Sequence, residues 1–288
     1  MKVKNVLSAL FVALLFAPLF FSCENQQQKN EILYDSIVVA THIPLLESND
    51  TTLPYSEVNI RFKYPLKFRN AEDLERLQQI FIGTFFGDEQ YGMYQLQEAL
   101  DKYLEAYSNE YKTLAEDFNK EKSERPDDEI PAWYWYQMSN ENEILFQNDS
   151  LLSYVVFYFD YTGGAHGGSF HRTYYNVNLN DLVVLSEDDL FLPGYKKELT
   201  DILLKQLMAD NQVTSPDSLI DKGFFNIEDI VPNGNFWINE EGLHYAFNQY
   251  EIAPYVMGLI EVTISFDKLL PILKPESAIT TTTTTIGI

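Results

Sequence analysis

The chain contains one cysteine, Cys23. Without a second thiol no intrachain disulfide can form. Basic residues are scarce as well: 20 Lys and Arg stand against 43 Asp and Glu, a formal charge of −23. An overall balance of that sign repels polyanions, so neither nucleic acid nor an anionic lipid surface is expected as a partner. It favours a cationic partner, although solubility alone accounts for an acidic surface. Signatures of common catalytic chemistry are missing. The glycine cluster "TGGAHGG" lacks the Lys-Ser/Thr of a phosphate loop, and no G-x-S-x-G elbow or D-x-D-x-D-G calcium loop occurs. No cofactor and no metal are expected.

Apolar residues make up 45% of the chain and aromatic residues 15%, enough for a real core and against disorder. The N-terminus reads as an export signal over residues 1–22. Lys2 and Lys4 provide the positive start, residues 9–21 are an apolar run too short to span a bilayer comfortably, and small Ser22 precedes Cys23. Cys23 in that position resembles the lipid-modified residue of bacterial lipoproteins, with Phe20 where Leu is usual. Residues 23–31 are then a lipid-attached tether, and the lipid is the only membrane attachment. Loss of Lys2 and Lys4 with the leader takes the charge from −23 to −25. At the other end, Thr280 to Thr285 is a six-residue threonine run, and residues 276–288 are expected to be a disordered tail.

Between these ends the pattern is α+β: antiparallel sheets with packed helices, a helix-rich α/β part over residues 32–125 and a strand-rich domain over 126–275. Val58, Ile60 and Phe62 alternate with polar neighbours and predict a strand. Asn70 followed by Glu72 and Asp73 predicts a capped helix with Leu74, Leu77, Phe81 and Phe85 on one face. A longer helix is predicted from Met93 to Leu114. The charged, proline-closed stretch 119–131 marks the boundary or a long connection. Beyond it, "LLSYVVFYFDY" and residues 173–185 predict strands, and Leu199, Ile202, Leu203 and Leu207 the apolar side of a helix. "NFWINEEGLHYAF" predicts a hairpin turning at Glu241 and Gly242, and Ile260 to Phe266 a last strand. Asp188 and Asp189 read as a solvated turn or a helix start rather than an acid/base pair.

Two stretches stand out. "YTGGAHGG" places His166 among Gly163, Gly164, Gly167 and Gly168, after Asp160 and Tyr161; glycine there predicts a tight or bulged connection between strands. "YEIAPYVMG" places Glu251 among Tyr250, Pro254 and Tyr255, and Ala253 must be extended ahead of proline. Glu251 either faces solvent or meets the first stretch by bonding His166 or the loop amides, since a buried unpaired carboxylate is costly. His166 and His171 with Asp160 fall short of a recognisable metal-ligand set.

These same residues carry a resemblance. Tyr161 to Gly167, Tyr174 to Phe191 and above all Asn235 to Leu269 are similar to the extracytoplasmic domain at the C-terminus of the anti-sigma factor RsiV. A similar domain pair precedes the catalytic domain of the peptidoglycan deacetylase PdaC. The family's usual Thr-Gly turn is Asn180-Asp181 here, and the 288 residues contain no anti-sigma segment or deacetylase domain. The resemblance implies a non-catalytic binding or sensing module at the cell envelope. It implies a cationic protein such as lysozyme, or peptidoglycan, as the ligand. The alternative is an enzyme acting on wall polysaccharide through His166 with Glu251 or Asp160.

Overall fold

The computed structural model describes residues 30–48, 50–126, 129–164, 167–275 and 277. The leader, Cys23 and the threonine run lie outside the described residues, as does His166.

The fold is α+β and is built on a six-stranded sheet. Its strands are β1 (Leu33–Pro44), β2 (Tyr55–Lys67), β3 (Tyr136–Gln147), β4 (Leu151–Tyr161), β5 (Ser169–Asn178) and β6 (Val183–Val184), lying side by side in that order. All neighbours are antiparallel except β2 and β3, which run parallel with Ile60 opposite Asn140. The expectation of wholly antiparallel sheets is corrected at that pair. A parallel pair needs a crossover, and here it is helical: α1 (Ala71–Phe86), α2 (Leu96–Lys112) and α3 (Ala115–Glu124). The expected boundary at residues 125/126 therefore falls inside one sheet, and residues 119–126 and 129–131 lie on the return leg of the crossover.

Local chemistry explains these helices. Asn70 Oδ1 accepts from the Asp73 amide at 3.0 Å, and Gly87 closes α1 at φ +76°, a conformation that glycine adopts without steric cost. Leu77, Phe81 and Phe85 are buried at helical spacing against Val58, Ile60, Phe62, Leu152 and Tyr154. Each such side chain contributes about 1.5–3 kcal/mol on burial. The single helix expected from Met93 to Leu114 is divided. Met93 ends a separate helical turn, Glu89–Met93, and is 76% exposed, while Leu114 lies past the end of α2. Asn30, placed in the tether by its sequence, is buried instead: Arg69 donates to its Oδ1 and Gln147 to its backbone oxygen.

The rest of the chain forms a second unit with its own core: α4 (Glu187–Leu190), α5 (Lys196–Asp210), α6 (Asp217–Ile220), strands β7 (Phe236–Ile238), β8 (Gly242–Phe247) and β9 (Ile260–Ser265), and α7 (Phe266–Leu269). Strands β7–β8–β9 are an antiparallel sheet with the expected turn at Asn239–Gly242. Leu199, Leu203 and Leu207 of α5 pack into the same core as Leu243, Tyr245, Val262 and Ile264. Ala246 and Trp237 reach the large sheet at Val155 and Tyr174. Hydrogen bonds close that seam. Asn176 Nδ2 donates to the Phe236 carbonyl at 2.8 Å, and the Ser153 hydroxyl lies 2.8 Å from the Ile238 carbonyl oxygen. Glu187, buried at the start of α4, ties the unit together. Its Oε1 accepts from the Tyr245 hydroxyl (2.8 Å) and the Gly234 amide (3.0 Å), and its Oε2 from the Tyr195 hydroxyl (2.9 Å).

The large sheet is thus covered on both faces, by helices on one side and by the second unit on the other. On β4, residues 152, 154 and 156 face the helices and 155 faces the second unit. Leu151 to Val156 are all buried, whereas Phe157 to Tyr161 are only half-buried. Burial falls on both faces beyond Val156, although Tyr158 still packs beside the helices, and that less covered end positions the site.

Candidate functional site

An open groove of about 600 Å³ lies on the second unit's side of the uncovered end. Its floor follows from strand register, because residues opposite one another in a sheet share a face. One row is Glu141, Phe157 and Arg172 across β3, β4 and β5; the next is Ser139, Phe159 and Phe170. Two rows across three strands make a floor about 10 Å wide. Phe159 and Phe170 lie 4.7 Å apart between ring centroids, and Phe170 is 52% exposed. The Arg172 guanidinium sits 5.2 Å above the Phe157 ring. Asn248, Gln249 and Leu259 from the second unit form the wall.

The wall also deals with the free edge of β5. Strand β6 pairs only with Val177 and Asn178, so the rest of β5 lacks a strand on its outer side. Amide side chains stand in for one. Asn248 Oδ1 accepts from the Arg172 amide at 2.8 Å, and Asn235 Oδ1 from the Tyr174 amide at 2.9 Å. Asn248 and Asn235 each return a donor to the Arg172 carbonyl, at 3.1 and 2.9 Å. Gln249 Oε1 accepts from the Phe170 amide at 3.3 Å. The edge is satisfied without a further strand, and Arg172 and Phe170 are held from the backbone. Behind the groove, burial pushes the Tyr174 phenol up to about 12, with Glu261 beside it adding to the effect, so Tyr174 stays protonated and donates to Glu261 at 3.0 Å.

The two stretches singled out in the sequence meet at this end of the sheet, through Tyr255. Its hydroxyl donates to the Gly168 carbonyl at 3.1 Å, and a Cβ on Gly167 would lie 3.1 Å from the Tyr255 hydroxyl oxygen. The Tyr161 hydroxyl donates to Gly164 O at 3.0 Å. Gly163 is held at φ +73° so close to the Ala132–Trp133 backbone that a Cβ would come within 2.2 Å of Ala132 O. Glu251 is exposed and takes its hydrogen bonds from Asn233 Nδ2 (3.0 Å) and Asn248 Nδ2 (3.4 Å). Pro254 opens the helical turn Tyr255–Met257. Tyr250 is exposed at φ +67°, its ring 5.8 Å from that of Tyr255. No group of three or more His, Cys, Asp or Glu side chains gathers as a metal site among the described residues.

The groove residues Phe157, Phe159, Phe170 and Arg172 were not singled out in the sequence. The available signal was "VVFYFDY", apolar at successive positions and therefore requiring cover on both faces; part of that cover is absent.

Residues 188–267 match the family described as Protein of unknown function (DUF3298), and residues 47–169 match the family described as Deacetylase PdaC. The interval between the two matches contains β5 and β6, where the chain passes from the first core to the second. A solved structure of a DUF3298 family member from Bacteroides fragilis is 34% identical over 86% of this chain and 96% of its own, with a TM-score of 0.78. A DUF3298 family protein from Pseudomonas aeruginosa, 17% identical with the same coverages, shares the fold at a TM-score of 0.56. No curated protein matches. The chain belongs to the DUF3298 family.

Proposed function

We propose that the protein is a non-catalytic binding module of the cell envelope, exported and held there by a lipid on Cys23, and that its groove takes a cell-wall sugar polymer. The observation that carries this reading is the half-exposed floor of Phe157, Phe159 and Phe170, edged by Glu141, Arg172, Asn248 and Gln249. Aromatic faces with a few polar groups at the rim suit a sugar ring, which offers a C–H face for stacking and hydroxyls at its edge. The match to a deacetylase family agrees with an extracytoplasmic setting and a wall substrate. No helix among the described residues is long and apolar enough to cross a membrane.

Cosedimentation with purified peptidoglycan is the test. Retention of the wild-type protein, weakened about tenfold in Phe170→Ala, is the expected result. Equal retention of the two proteins would count against the groove. A cationic protein such as lysozyme is a second candidate ligand, favoured by the charge of −23; retention on immobilised lysozyme at physiological salt, with no retention on peptidoglycan, would select it. An enzyme using His166 with Glu251 or Asp160 has less support. Asp160 lines the opposite face of the sheet from the groove, and Glu251 is engaged by two asparagines.

A further inference from the structure

The other face of the uncovered sheet end carries a second recess, of about 350 Å³, between α2 and strands β3 and β4. Tyr107 from α2, Tyr136 from β3, and Tyr158 and Tyr161 from β4 line it with aromatic rings. Two carboxylates join them, Glu110 from α2 and Asp160 from β4, and no Lys or Arg is among its lining residues. The rings are braced from behind. The Tyr107 hydroxyl is 2.6 Å from Ser56 Oγ, the Tyr161 hydroxyl donates to Gly164 O, and Tyr111, itself buried, sets its ring tilted against that of Tyr136 at 5.1 Å and donates to the Tyr134 carbonyl at 2.7 Å. Neither the Glu110 nor the Asp160 carboxylate has a hydrogen-bond or ion-pair partner among the described residues.

We infer that this recess binds an organic ammonium group. Tyrosine rings present negative faces that attract a cation, and the attraction grows when the cation is partly desolvated. Two carboxylates on different elements supply the opposite charge, and the open side of the recess, where Glu110 is exposed, lets an alkyl chain leave it. A metal ion suits the recess less well, since phenol rings rather than oxygen ligands dominate its wall. Burial first, then Asp160, Tyr107 and Glu110, push the Tyr158 phenol up to about 12, so it remains neutral and keeps its π face available. Asp160, noted from the sequence as a possible partner of His166, thereby gains a binding role.

The inference stands apart from the groove reading, because the recess and the groove open on opposite sides of β4 and share Tyr158 alone among their lining residues. The test is calorimetric titration of the protein with two ammonium compounds, Nα-acetyl-lysinamide and choline. The control is the neutral carbon analogue of choline, in which a tert-butyl group replaces the trimethylammonium. Saturable binding of at least one ammonium compound, and none of the neutral analogue, is expected. Tighter binding of the lysine derivative points to a protein or peptide amine, and tighter binding of choline to a quaternary headgroup. The double variant Glu110→Gln/Asp160→Asn should keep the wild-type circular dichroism and lose at least about tenfold in affinity. Tyr158→Leu should weaken binding with both carboxylates in place. Phe170→Ala should leave it unchanged, so failure here and failure of the groove reading are separable. Equal binding of the neutral analogue, unchanged affinity in the double variant, or no binding of either ammonium compound would overturn the inference.

Discussion

Replacing Glu187 by Ala should destabilise the protein by about 3–5 kcal/mol. The carboxylate is buried and accepts three hydrogen bonds, from the Tyr245 and Tyr195 hydroxyls and from the Gly234 amide. Hydrogen bonds to a charged acceptor are worth about 1.5–3 kcal/mol each, and a buried donor left without a partner costs about 1–3 kcal/mol. The two phenols can swing toward other acceptors, whereas the Gly234 amide is fixed in the backbone. Relief from holding a charge in the core offsets part of the loss, which brings the sum to the stated range. Both phenols remain protonated donors at all ordinary pH: burial raises Tyr195 and Tyr245 well above the usual tyrosine value, and Glu187 raises them further. Glu187→Gln retains one acceptor oxygen and the side-chain volume, so about half the loss is expected. Urea unfolding followed by circular dichroism measures the difference, and a loss of 3–5 kcal/mol corresponds to a fall in melting temperature of very roughly 6–20 °C for a chain of this size. An alanine variant within about 1 kcal/mol of wild type, or a glutamine variant as damaged as the alanine one, would refute this role for Glu187.

Two further predictions concern the glycine turn and the second sheet. Gly163→Ala should cost at least about 2 kcal/mol, because the residue sits at positive φ and its Cβ would collide with the Ala132–Trp133 backbone; Gly164→Ala, also at positive φ but in open space, should cost about 1 kcal/mol. Comparable losses in thermal melts of the two variants would contradict the close approach. His244 lies stacked on Trp237 at 3.9 Å, with Nε2 donating to Asn239 Oδ1 (2.8 Å) and Nδ1 2.9 Å from Thr263 Oγ1. Burial lowers its affinity for a proton below that of a free histidine, outweighing Glu241 and Glu261. Its folded pKa is therefore depressed. The unfolded chain takes up the proton first, and the His244 contribution is present above about pH 6.5 and lost as pH falls below it. Urea unfolding across that range should show a steeper decline for wild type than for His244→Gln; parallel profiles would remove His244 as the cause.

Much of the architecture was legible because it depends on short-range pattern. Alternation at Val58, Ile60 and Phe62, the Asn70 cap, the turn at Glu241 and Gly242, and the apolar side of α5 all appear where residue chemistry placed them. The parallel pairing of β2 with β3 was not legible, since alternation within a strand says nothing of its neighbour's direction. Met93 fitted a helical spacing that the break before Leu96 interrupts. The groove was hidden for a different reason. Phe157 and Phe159 look like core residues from their neighbours, and only the length of the second unit's cover leaves them accessible. Their surroundings come from far along the chain: Asn248 and Gln249 bond residues 76 and 79 positions earlier. Glu187 was passed over beside Asp188 and Asp189, whose chemistry is local to the helix start; the partners of Glu187 are brought to it only by the tertiary fold. The meeting of the two unusual stretches was partly legible: they do touch, but through Tyr255 and Gly168, while Glu251 turns to Asn233 and Asn248.

Hydrogen exchange of the protein with and without soluble, enzymatically released peptidoglycan fragments tests the central claim most directly. Slower exchange in peptides covering residues 139–141, 157–159 and 170–172, together with 248–249, is the predicted result, and Phe159→Ala should abolish it. Exchange unchanged at these positions at saturating fragment, or slowed only elsewhere on the molecule, would contradict a wall-polymer site in the groove.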